Sequence, residues 1–346
     1  MASYETRINK EFAEYKLSQL ILNGFSKLAP NKVYEIENIL ERFLICMANY
    51  GKDESIFYPV DYRYKCTNKL ISELKEKGIV NSLQTIESLL LNPIKKYCSL
   101  KVYPPVKINL SWIGDKCIMG PIEINFHPRQ ANFLKLFKPQ QLIPMMLKYR
   151  TMDISHERHS SQQWGISYDQ YDKWYKMGAR YEAFASPLNT RITVGLAAPH
   201  PAQGLASPNP TRGLASSNPA SAKRPGAFCS LFPETDKPFG SIGNFFDIDL
   251  QELHKSNKAI WCFNPPFVED IMERGIKKFT TSLAEGVQIQ IFGILPHWED
   301  SPAVMHVKES KYLKSIKLLK AGTYHFESDK KIIAKFDCIE FILSSL

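Results

Sequence analysis

The sequence predicts an α/β fold for the second half of the chain and a mainly helical first half. From about Trp164 onward, short apolar runs typical of buried strands alternate with stretches of helical apolar spacing. Over about the first hundred residues, apolar side chains instead recur at the three- and four-residue intervals of one helix face. Strands that alternate with helices indicate a largely parallel sheet with helices packed against it.

Individual elements follow from the same patterns. In the second half we predict strands at 181–185, 259–263, 287–295 and 332–343, and helices at 267–284 and 306–319. Before them, alternating segments at 106–112 and 118–126 flank the turn Gly114-Asp115 and predict a β-hairpin, followed by a helical pattern over 128–149. We therefore divide the chain into an N-terminal helical domain with a hairpin, 1–127, and a second domain, 128–346.

Composition excludes several classes of protein. Seven cysteines are scattered along the 346 residues without a C-x-x-C pair, so we expect a reducing compartment and neither a disulfide framework nor a zinc knuckle. No stretch approaches the ~20 apolar residues of a membrane helix, and the charged N-terminus lacks the apolar core of a signal peptide. We predict a soluble, intracellular protein without a membrane partner, with cytoplasm and nucleus both open.

The excess of positive charge lies in one segment. Residues 60–150 hold 15 basic and 6 acidic side chains, whereas the rest of the chain is nearly balanced. Tyrosines are interleaved with these charges, as in Tyr62 to Lys65 and Lys95 to Tyr103. Basic side chains neutralise phosphates and aromatic rings stack on unpaired bases, which predicts a nucleic-acid surface. A solvated lysine-rich face, with the tyrosines partly in the core, explains the pattern equally well.

A nine-residue motif occurs three times over 195–221, as GLAAPHPAQ, GLASPNPTR and GLASSNPAS. These repeats are rich in Pro, Ala, Ser and Gly and contain almost no bulky apolar side chain. Such a segment buries too little surface to offset its ordering entropy, so we predict a flexible surface insertion. A partner-binding role for the repeats is the alternative.

The motif with the most specific chemistry is Asn264-Pro265-Pro266-Phe267, between a predicted strand and a predicted helix. The exocyclic amino group of adenine is a poor nucleophile because its lone pair is delocalised into the ring. The Asn264 side-chain oxygen and the Pro265 carbonyl could accept its two hydrogens and direct the lone pair at a methyl donor. The prolines stiffen the turn, and Phe267 offers a face for base stacking. A simple proline-rich turn with Phe267 in the core is the structural alternative.

A methyl donor needs a second loop at the carboxyl end of a neighbouring strand. The predicted strand at 181–185 leads into small residues that let the backbone approach a ligand. This loop contains the candidates Phe184, Ala185, Ser186, Pro187 and Asn189. A rival loop is 239–243, which contains two glycines, and Asp236 before it could hold ribose hydroxyls or cap a turn.

Other catalytic motifs are absent from the sequence. It contains no G-x-x-x-x-G-K-[ST] phosphate loop, G-x-S-x-G nucleophile elbow or H-E-x-x-H zinc helix. His156 and His159 lack an evident third ligand, so we interpret them as surface histidines and predict no metal.

Several of these segments together resemble the cap-specific N6-adenosine methyltransferases, the phosphorylated-CTD-interacting-factor family. The resemblance covers about residues 164–326, and no stretch resembles the WW domain of the family's best-known members. It is carried by Trp164-Gly165, by 178–189, by 228–236 with Phe239-Gly240-Ser241, by the N-P-P-F tetrapeptide, by Pro296-His297-Trp298 and by 308–312.

The resemblance implies a class I, Rossmann-like methyltransferase sheet with helices on both faces, beside the helical domain. It implies S-adenosylmethionine as cofactor and N6 methylation of the adenosine, usually 2′-O-methylated, next to the mRNA cap. Asn264, Pro265, Pro266 and Phe267 would hold the adenine, and Phe184 to Asn189 with Asp236 would line the cofactor pocket. Capped RNA would follow the basic segment. The alternatives are a DNA or internal-RNA adenine N6-methyltransferase, and a catalytically silent RNA-binding relative.

Overall fold

A computed structural model describes residues 4–50, 55–61, 63–153, 164–191, 226–255 and 257–345. The repeats at 195–221, Tyr62, His156 and His159 lie outside this part of the chain. The chain divides into two compact units. The first comprises Met1–Ser111, Ile118–Ile122 and Pro139–Gln162, and the second comprises Trp112–Cys117, Glu123–Lys138 and Gln163–Leu346. The boundary predicted after residue 127 differs from this division, because Pro139–Gln162 groups with the first unit.

The first unit is helical, as its apolar spacing predicts. Its helices are α1 (Tyr4–Leu28), α2 (Val33–Tyr50), α3 (Lys65–Glu76), α4 (Leu83–Ile86), α5 (Asn92–Cys98) and α7 (Pro139–Met152), with a π-helical turn at Glu87–Leu91. Helices α1 and α7 pack together and bury an ion pair of 3.0 Å between Lys148 Nζ and Glu11 Oε1. The carboxylate of Glu14, also on α1, accepts a hydrogen bond from the Tyr97 hydroxyl at 2.9 Å.

One pair of cysteines is joined in this unit. Cys46 of α2 and Cys66 of α3 form a disulfide, with their Cα atoms 5.9 Å apart. Seven scattered cysteines without a C-x-x-C pair predicted no disulfide framework, and the Cys46–Cys66 bond, between residues 20 apart in sequence, departs from that prediction. Packing of α2 against α3 brings them together, and spacing along the chain does not reveal such a contact.

The predicted hairpin has three strands instead of two. Strands β1 (Leu110–Ile113), β2 (Lys116–Met119) and β3 (Ile122–Asn125) form a sheet in the order β1-β2-β3. The segment 118–126 does not form one strand, because the chain turns at Gly120, which has a φ of 59°, a conformation that favours glycine.

The second unit is built on a six-stranded mixed sheet in the order β6-β5-β7-β8-β12-β9. Its strands are β5 (Tyr181–Glu182), β6 (Ala227–Phe228), β7 (Ala259–Phe263), β8 (Ile289–Pro296), β9 (Leu313–Leu319) and β12 (Cys338–Ser344). The four strands β6, β5, β7 and β8 are parallel, whereas β12 is antiparallel to both β8 and β9. The α/β class is confirmed, and the sheet is mixed.

Both faces of this sheet are buried, since alternate side chains of β7 enter different apolar clusters. Trp261 and Phe263 belong to one cluster and Cys262 to the other. Helices α11 (Glu269–Ala284) and α12 (Pro302–Lys308) contribute to the first cluster, and α8 (Tyr168–Lys176) contributes to the second. The remaining described helices of this unit are α6 (Pro128–Leu134), α9 (Pro233–Asp236) and α10 (Leu250–Leu253).

Two predicted elements are corrected. The helix predicted over 306–319 ends at Lys308, and Leu313–Leu319 is a strand because it pairs with β12. The strand predicted over 332–343 is two strands: β11 (Lys331–Ile333) lies in a small antiparallel sheet of order β11-β10-β4, and β12 lies in the large sheet. The other members of the small sheet are β4 (Gly165–Ile166) and β10 (His325–Glu327).

The outer strand β9 is unusual in its exposure. Its five central residues are all exposed, including the apolar Ile316 and Leu318 and the charged Lys314 and Lys317. One side of this strand pairs with β12, and β9 ends the strand order of the sheet.

Candidate active site

A cleft lies where β5 and β7 end. These strands are parallel neighbours with Glu182 opposite Cys262, so the segments that follow them emerge at the same edge of the sheet. The cleft is lined by Gly165, Ile166, Glu182, Phe184, Ala185, Asn189, Arg191, Cys262 and Asn264. The fold thus brings Asn264 of the N-P-P-F motif together with three residues of the predicted cofactor loop.

Asn264 presents a hydrogen-bond acceptor without a protein donor. Its Nδ2 donates to the main-chain oxygen of Trp164 at 3.1 Å. Its Oδ1 is buried, and no residue that the structure describes donates to it. Because the amide nitrogen is committed to a carbonyl, the amide cannot turn over without placing two acceptors against each other. A buried acceptor without a partner is costly, about 1–3 kcal/mol, and a donor from a ligand would satisfy it.

The next residue supplies a second acceptor. Pro265 is buried, and within the described ranges no main-chain or side-chain group donates to its carbonyl oxygen. The Pro266 oxygen, in contrast, accepts from the Val268 N–H at 2.7 Å. Each proline fixes its own φ, so the turn holds its shape before a ligand arrives.

Phe267 packs among other aromatic rings. Its ring centroid lies 5.6 Å from that of Phe326 and 5.9 Å from that of Phe336, both edge-on. The side chain is half-buried between the two apolar clusters. Its predicted role as a stacking face for a base stays a prediction.

The loop after β5 is held by its own hydrogen bonds. The Asn189 Oδ1 accepts from the Ser186 N–H at 2.7 Å and contacts the Ser186 hydroxyl at 3.1 Å. The Pro187 carbonyl accepts from the Gln130 side chain at 2.5 Å. Ser186 and Pro187 therefore shape the loop, while Phe184, Ala185 and Asn189 line the cleft.

Asp236 lies elsewhere. Its side chain is fully buried in α9, and it is not among the residues that line the cleft. Contact with ribose hydroxyls would require this side chain to move, so its role in cofactor binding stays a prediction. The rival glycine loop runs beside β6, where Ser241 bridges to Phe228 and Gly240 and Gly243 have φ values of 106° and 139°.

Two charged residues on the cleft wall were missed by sequence reasoning. The carboxylate of Glu182 accepts from the Thr190 hydroxyl at 2.5 Å and from the Arg191 N–H at 3.1 Å. The buried guanidinium of Arg191 lies 3.8 Å from the centre of the Tyr168 ring and donates to the Glu327 main-chain oxygen at 2.8 Å. The only signal in the sequence was the position of Glu182, an acid at a strand end.

Gly165 makes room for this arginine. A Cβ built at Gly165 would lie 2.8 Å from Nη2 and 3.1 Å from Cζ of Arg191. The guanidinium therefore packs directly against the backbone of β4. The Trp164-Gly165 pair thus positions two parts of the cleft, since Trp164 orients Asn264 and Gly165 accommodates Arg191.

The cleft is narrow in this structure. It encloses about 10 Å³, which is room for about one water molecule. Pockets for ligands of drug size measure about 300–1,000 Å³, so a nucleoside enters only if the walls separate. Burial raises the pKa of the Cys262 thiol on this wall far above its usual value, which keeps the thiol neutral and unreactive.

The described residues contain no group of three or more His, Cys, Asp or Glu side chains placed to hold a metal ion. None of the described helices is long and apolar enough to cross a membrane.

In the predicted basic segment, the described residues Lys95, Lys96 and Lys101 are exposed. Tyr97 between them is buried and bonded to Glu14, so its ring does not face solvent. The nucleic-acid surface over 60–150 stays a prediction.

Comparison with known proteins supports the resemblance. One relative, the mRNA (2'-O-methyladenosine-N(6)-)-methyltransferase of Mus musculus, is 31% identical over 113 residues, covering 31% of this chain and 15% of the relative. The protein of the same name from Homo sapiens is 29% identical over 111 residues, again covering 31% of this chain and 15% of the relative. The aligned part of the chain thus spans 15% of the length of either relative.

A family profile gives the wider match. The profile described as the phosphorylated CTD interacting factor 1 WW domain matches residues 127–329. This range is more than half of the chain and includes the whole described cleft. The chain therefore belongs to the phosphorylated CTD interacting factor 1 family.

Proposed function

We propose that this chain is an S-adenosylmethionine-dependent RNA methyltransferase that modifies N6 of the adenosine next to an mRNA cap. The observation that carries the proposal is the pair of acceptors on consecutive residues, Asn264 Oδ1 and Pro265 O, neither with a donor among the described residues. An adenine amino group has two N–H bonds, so one base would satisfy both acceptors. The names of the mouse and human relatives support the substrate.

The proposed catalysis depends on the positioning of the two reactants more than on acid–base catalysis. Two hydrogen bonds to the amino hydrogens draw the nitrogen away from planarity with the ring and direct its lone pair into the cleft. The bound cofactor supplies an electrophilic methyl group at its sulfonium centre. Asn264 Oδ1 and Pro265 O would hold N6 toward that methyl group, and one of the two amino protons would leave to solvent after the transfer. Correct placement of two reactants accounts for a large share of such a rate enhancement.

The residues of the cleft suit this cofactor. Its methionine part carries a carboxylate and an ammonium group, and the cleft wall offers the guanidinium of Arg191 and the carboxylate of Glu182. We place the cofactor along Phe184, Ala185, Ser186, Pro187 and Asn189, with Asp236 as the further candidate for its ribose. Because the cleft encloses only about 10 Å³, binding must separate the cofactor loop from the N-P-P-F turn.

The sheet order agrees with a class I, Rossmann-like methyltransferase. Across the sheet, the four parallel strands β6, β5, β7 and β8 come first. Next to β8 lies β12, the last strand of the chain, which is antiparallel to both of its neighbours, β8 and β9. In open parallel sheets, ligands bind beyond the carboxyl ends of the strands. The cleft occupies that place between β5 and β7. We therefore infer a methyltransferase domain that contains this sheet and a separate helical domain that precedes it.

The deciding experiment measures transfer of a labelled methyl group from S-adenosylmethionine to short RNAs that begin with adenosine, capped or uncapped. Product nucleosides are identified by mass. We expect N6-methyladenosine in capped RNA, and its loss in Asn264→Ala with unchanged thermal unfolding. Asn257→Ala, which changes an exposed asparagine, is the matched control and should keep full activity.

Two outcomes would favour the alternatives. Equal labelling of capped and uncapped RNA would keep the chemistry and indicate DNA or internal RNA as the substrate. Absence of labelling in any nucleic acid, from a folded protein, would indicate a silent RNA-binding relative.

A further inference from the structure

A second cavity lies at the other edge of the six-stranded sheet, where β7 and β8 begin. The chain enters β7 after α10 and enters β8 after the turn that follows α11. Because Ala259 is opposite Ile289 at the start of these parallel strands, the two entering segments lie side by side. Between them is a cavity of about 370 Å³, within the range of pockets that hold ligands of drug size. The candidate active site lies at the other ends of β5 and β7, so the two sites are separate.

His254, which follows α10, lines this cavity and is only 5% exposed. Its Nε2 accepts a hydrogen bond from the Trp261 indole N–H at 3.0 Å. A neutral imidazole that accepts at one nitrogen carries its proton on the other, and burial lowers the pKa of this imidazole to about 4. At neutral pH His254 therefore has an Nδ1–H group that can donate.

This donor has no acceptor in the described part of the chain, where the bond to Trp261 is the only hydrogen bond of the His254 side chain. The imidazole is also held in place. It stands edge-on to the rings of Tyr181 and Trp261, with centroids 5.0 and 5.7 Å away. A polar group in so buried a wall is costly if it stays unpaired. A ligand with an acceptor would pair with a donor whose direction the fold has already fixed.

The rim of the cavity carries two carboxamides. Gln251 lies on α10 and Gln288 lies just before β8, and both are exposed. Neither side chain makes a hydrogen bond to another described residue. Each carboxamide offers a donor and an acceptor side by side, so the rim can pair with a ligand edge that has the complementary pattern.

The charges around the cavity are balanced. Lys255 forms an ion pair with Glu252, and Glu285 brings a carboxylate from the other entering segment. A phosphate would meet no excess of positive charge here, so a neutral polar ligand fits better than an anion. Beside Glu285, a Cβ built at Gly286 would meet nothing within 4 Å. A flat ring therefore has room against this part of the backbone.

These features together favour a nucleobase. We propose that the cavity binds a nucleobase, with the His254 Nδ1–H donating to a ring nitrogen or carbonyl oxygen and Gln251 or Gln288 pairing with the base edge. Glutamine side chains pair in this way with the donor and acceptor on one edge of adenine. The volume equals that of about twelve water molecules, which suits one nucleoside better than a peptide. The base arrives on a free nucleoside or on a strand of RNA, and the proposal is independent of the function proposed above.

The test titrates the full chain, labelled with ¹⁵N, with adenosine, guanosine, cytidine and uridine, and follows the tryptophan indole N–H signals by NMR. Each signal is assigned with a tryptophan-to-phenylalanine variant. The Trp261 signal reports on the cavity because this N–H donates to His254, and we expect a saturable shift of it with at least one nucleoside. The Trp164 signal reports on the candidate active site, since the Trp164 main-chain oxygen contacts Asn264. Binding that shifts the Trp164 signal and leaves the Trp261 signal in place would contradict the proposal.

Two exposed positions test the recognition itself. The double variant Gln251→Ala with Gln288→Ala changes only exposed side chains, so it should fold like the wild type and bind the nucleoside about tenfold more weakly. The matched control is Gln84→Ala, which changes an exposed glutamine of the first unit and should bind like the wild type. Equal affinities of the double variant and the wild type would overturn the assignment of the base edge to these carboxamides.

An uncapped RNA composed of the most tightly bound base distinguishes the two sources. If this RNA shifts the Trp261 signal at a lower concentration than the nucleoside does, and the double variant reduces that difference, the cavity holds a base of an RNA strand. If the nucleoside binds as tightly as the RNA, the ligand is a free nucleoside. The proposal fails if no nucleoside and no RNA shifts the Trp261 signal. Because no methyl donor is present, each of these outcomes is distinct from failure of methyl transfer.

Discussion

The side-chain amide of Asn264 donates from Nδ2 to the main-chain oxygen of Trp164 at 3.1 Å, across 100 residues of sequence. This bond determines which end of the amide faces the cleft. The Oδ1 is then the only side-chain atom of Asn264 that a ligand donor can use. The orientation of the predicted acceptor thus depends on a residue far from the N-P-P-F motif in sequence.

Replacement of this amide by a carboxylate tests that orientation. In Asn264→Asp an oxygen takes the place of Nδ2 and faces the Trp164 carbonyl, so two acceptors meet and the side chain must turn. We expect methyl transfer to fall by about 10²-fold or more, as when one positioned hydrogen-bonding group is removed from an active site. The measurement is kcat with saturating RNA, and equal rates for the two proteins would show that the hydrogen bond to Trp164 is dispensable.

Gly165 and Arg191 offer a stability test. A methyl group added at Gly165 would meet the guanidinium at 2.8 Å, and this side chain is buried and held by Tyr168 and the Glu327 carbonyl. Gly165→Ala should therefore lower the free energy of unfolding by about 1–3 kcal/mol. Urea unfolding of the variant and the wild type checks this value.

The same pair supplies its own control. In an Arg191→Gln background the clash is removed, so the additional cost of Gly165→Ala should be smaller by about 1 kcal/mol. If Gly165→Ala lowers the free energy of unfolding equally in both backgrounds, the alanine acts on the backbone of β4 and not through a clash with Arg191.

His254 predicts a dependence of stability on pH. Burial lowers the pKa of its imidazole to about 4, and its Nε2 accepts from the Trp261 indole N–H at 3.0 Å. Between about pH 4 and the ordinary histidine pKa of about 6.5, the unfolded chain binds a proton that the folded chain does not. The neutral His254 therefore does not lower the free energy of unfolding above about pH 6.5, and it lowers this free energy progressively as the pH falls toward 4.

The measurement is urea unfolding at about pH 5 and about pH 7, on either side of the ordinary histidine pKa, for the wild type and for His254→Gln. The variant should lose less stability on acidification than the wild type. Asn257→Ala, which changes an exposed residue that does not titrate, should respond to acid like the wild type, and a similar response in all three proteins would contradict the assignment.

The basic segment predicts a salt dependence of RNA binding. Lys95, Lys96 and Lys101 are exposed on the first unit. Reversing these three charges to glutamate should weaken binding of single-stranded RNA and reduce the slope of log K against log salt by about 0.7 for each phosphate that the protein no longer neutralises. An unchanged slope would place the RNA path outside this segment.

The sequence predicted the fold class well because apolar spacing is a local property. The strand Ala259–Phe263 is confirmed at both ends, since each of its five residues is apolar and a proline turn follows it. The segment 306–319 was predicted as helix because its apolar spacing also suits a helix. Pairing of Leu313–Leu319 with β12 decides its structure, and no local pattern contains that partner.

The same distinction applies to the candidate site. Asn264 could be predicted as a candidate because the four residues of its motif, adjacent in sequence, suggest two hydrogen-bond acceptors and a stacking face. Arg191 could not, because its place on the cleft wall depends on Gly165, Tyr168 and Glu327, which are distant from it in sequence. Asp236 became a candidate because it lies near the loop 239–243 in sequence; the folded chain buries its side chain and does not place it on the cleft wall, so its role at a ribose stays a prediction.

Strand β9 has a consequence for association between copies of the chain. An outer strand with exposed Ile316 and Leu318 is a template for pairing with a second molecule. Lys314 and Lys317 lie on the same strand, and charged side chains, lysine above all, are a common means by which an edge strand resists pairing with another chain. We therefore expect these two lysines to oppose growth of the sheet from one molecule to the next.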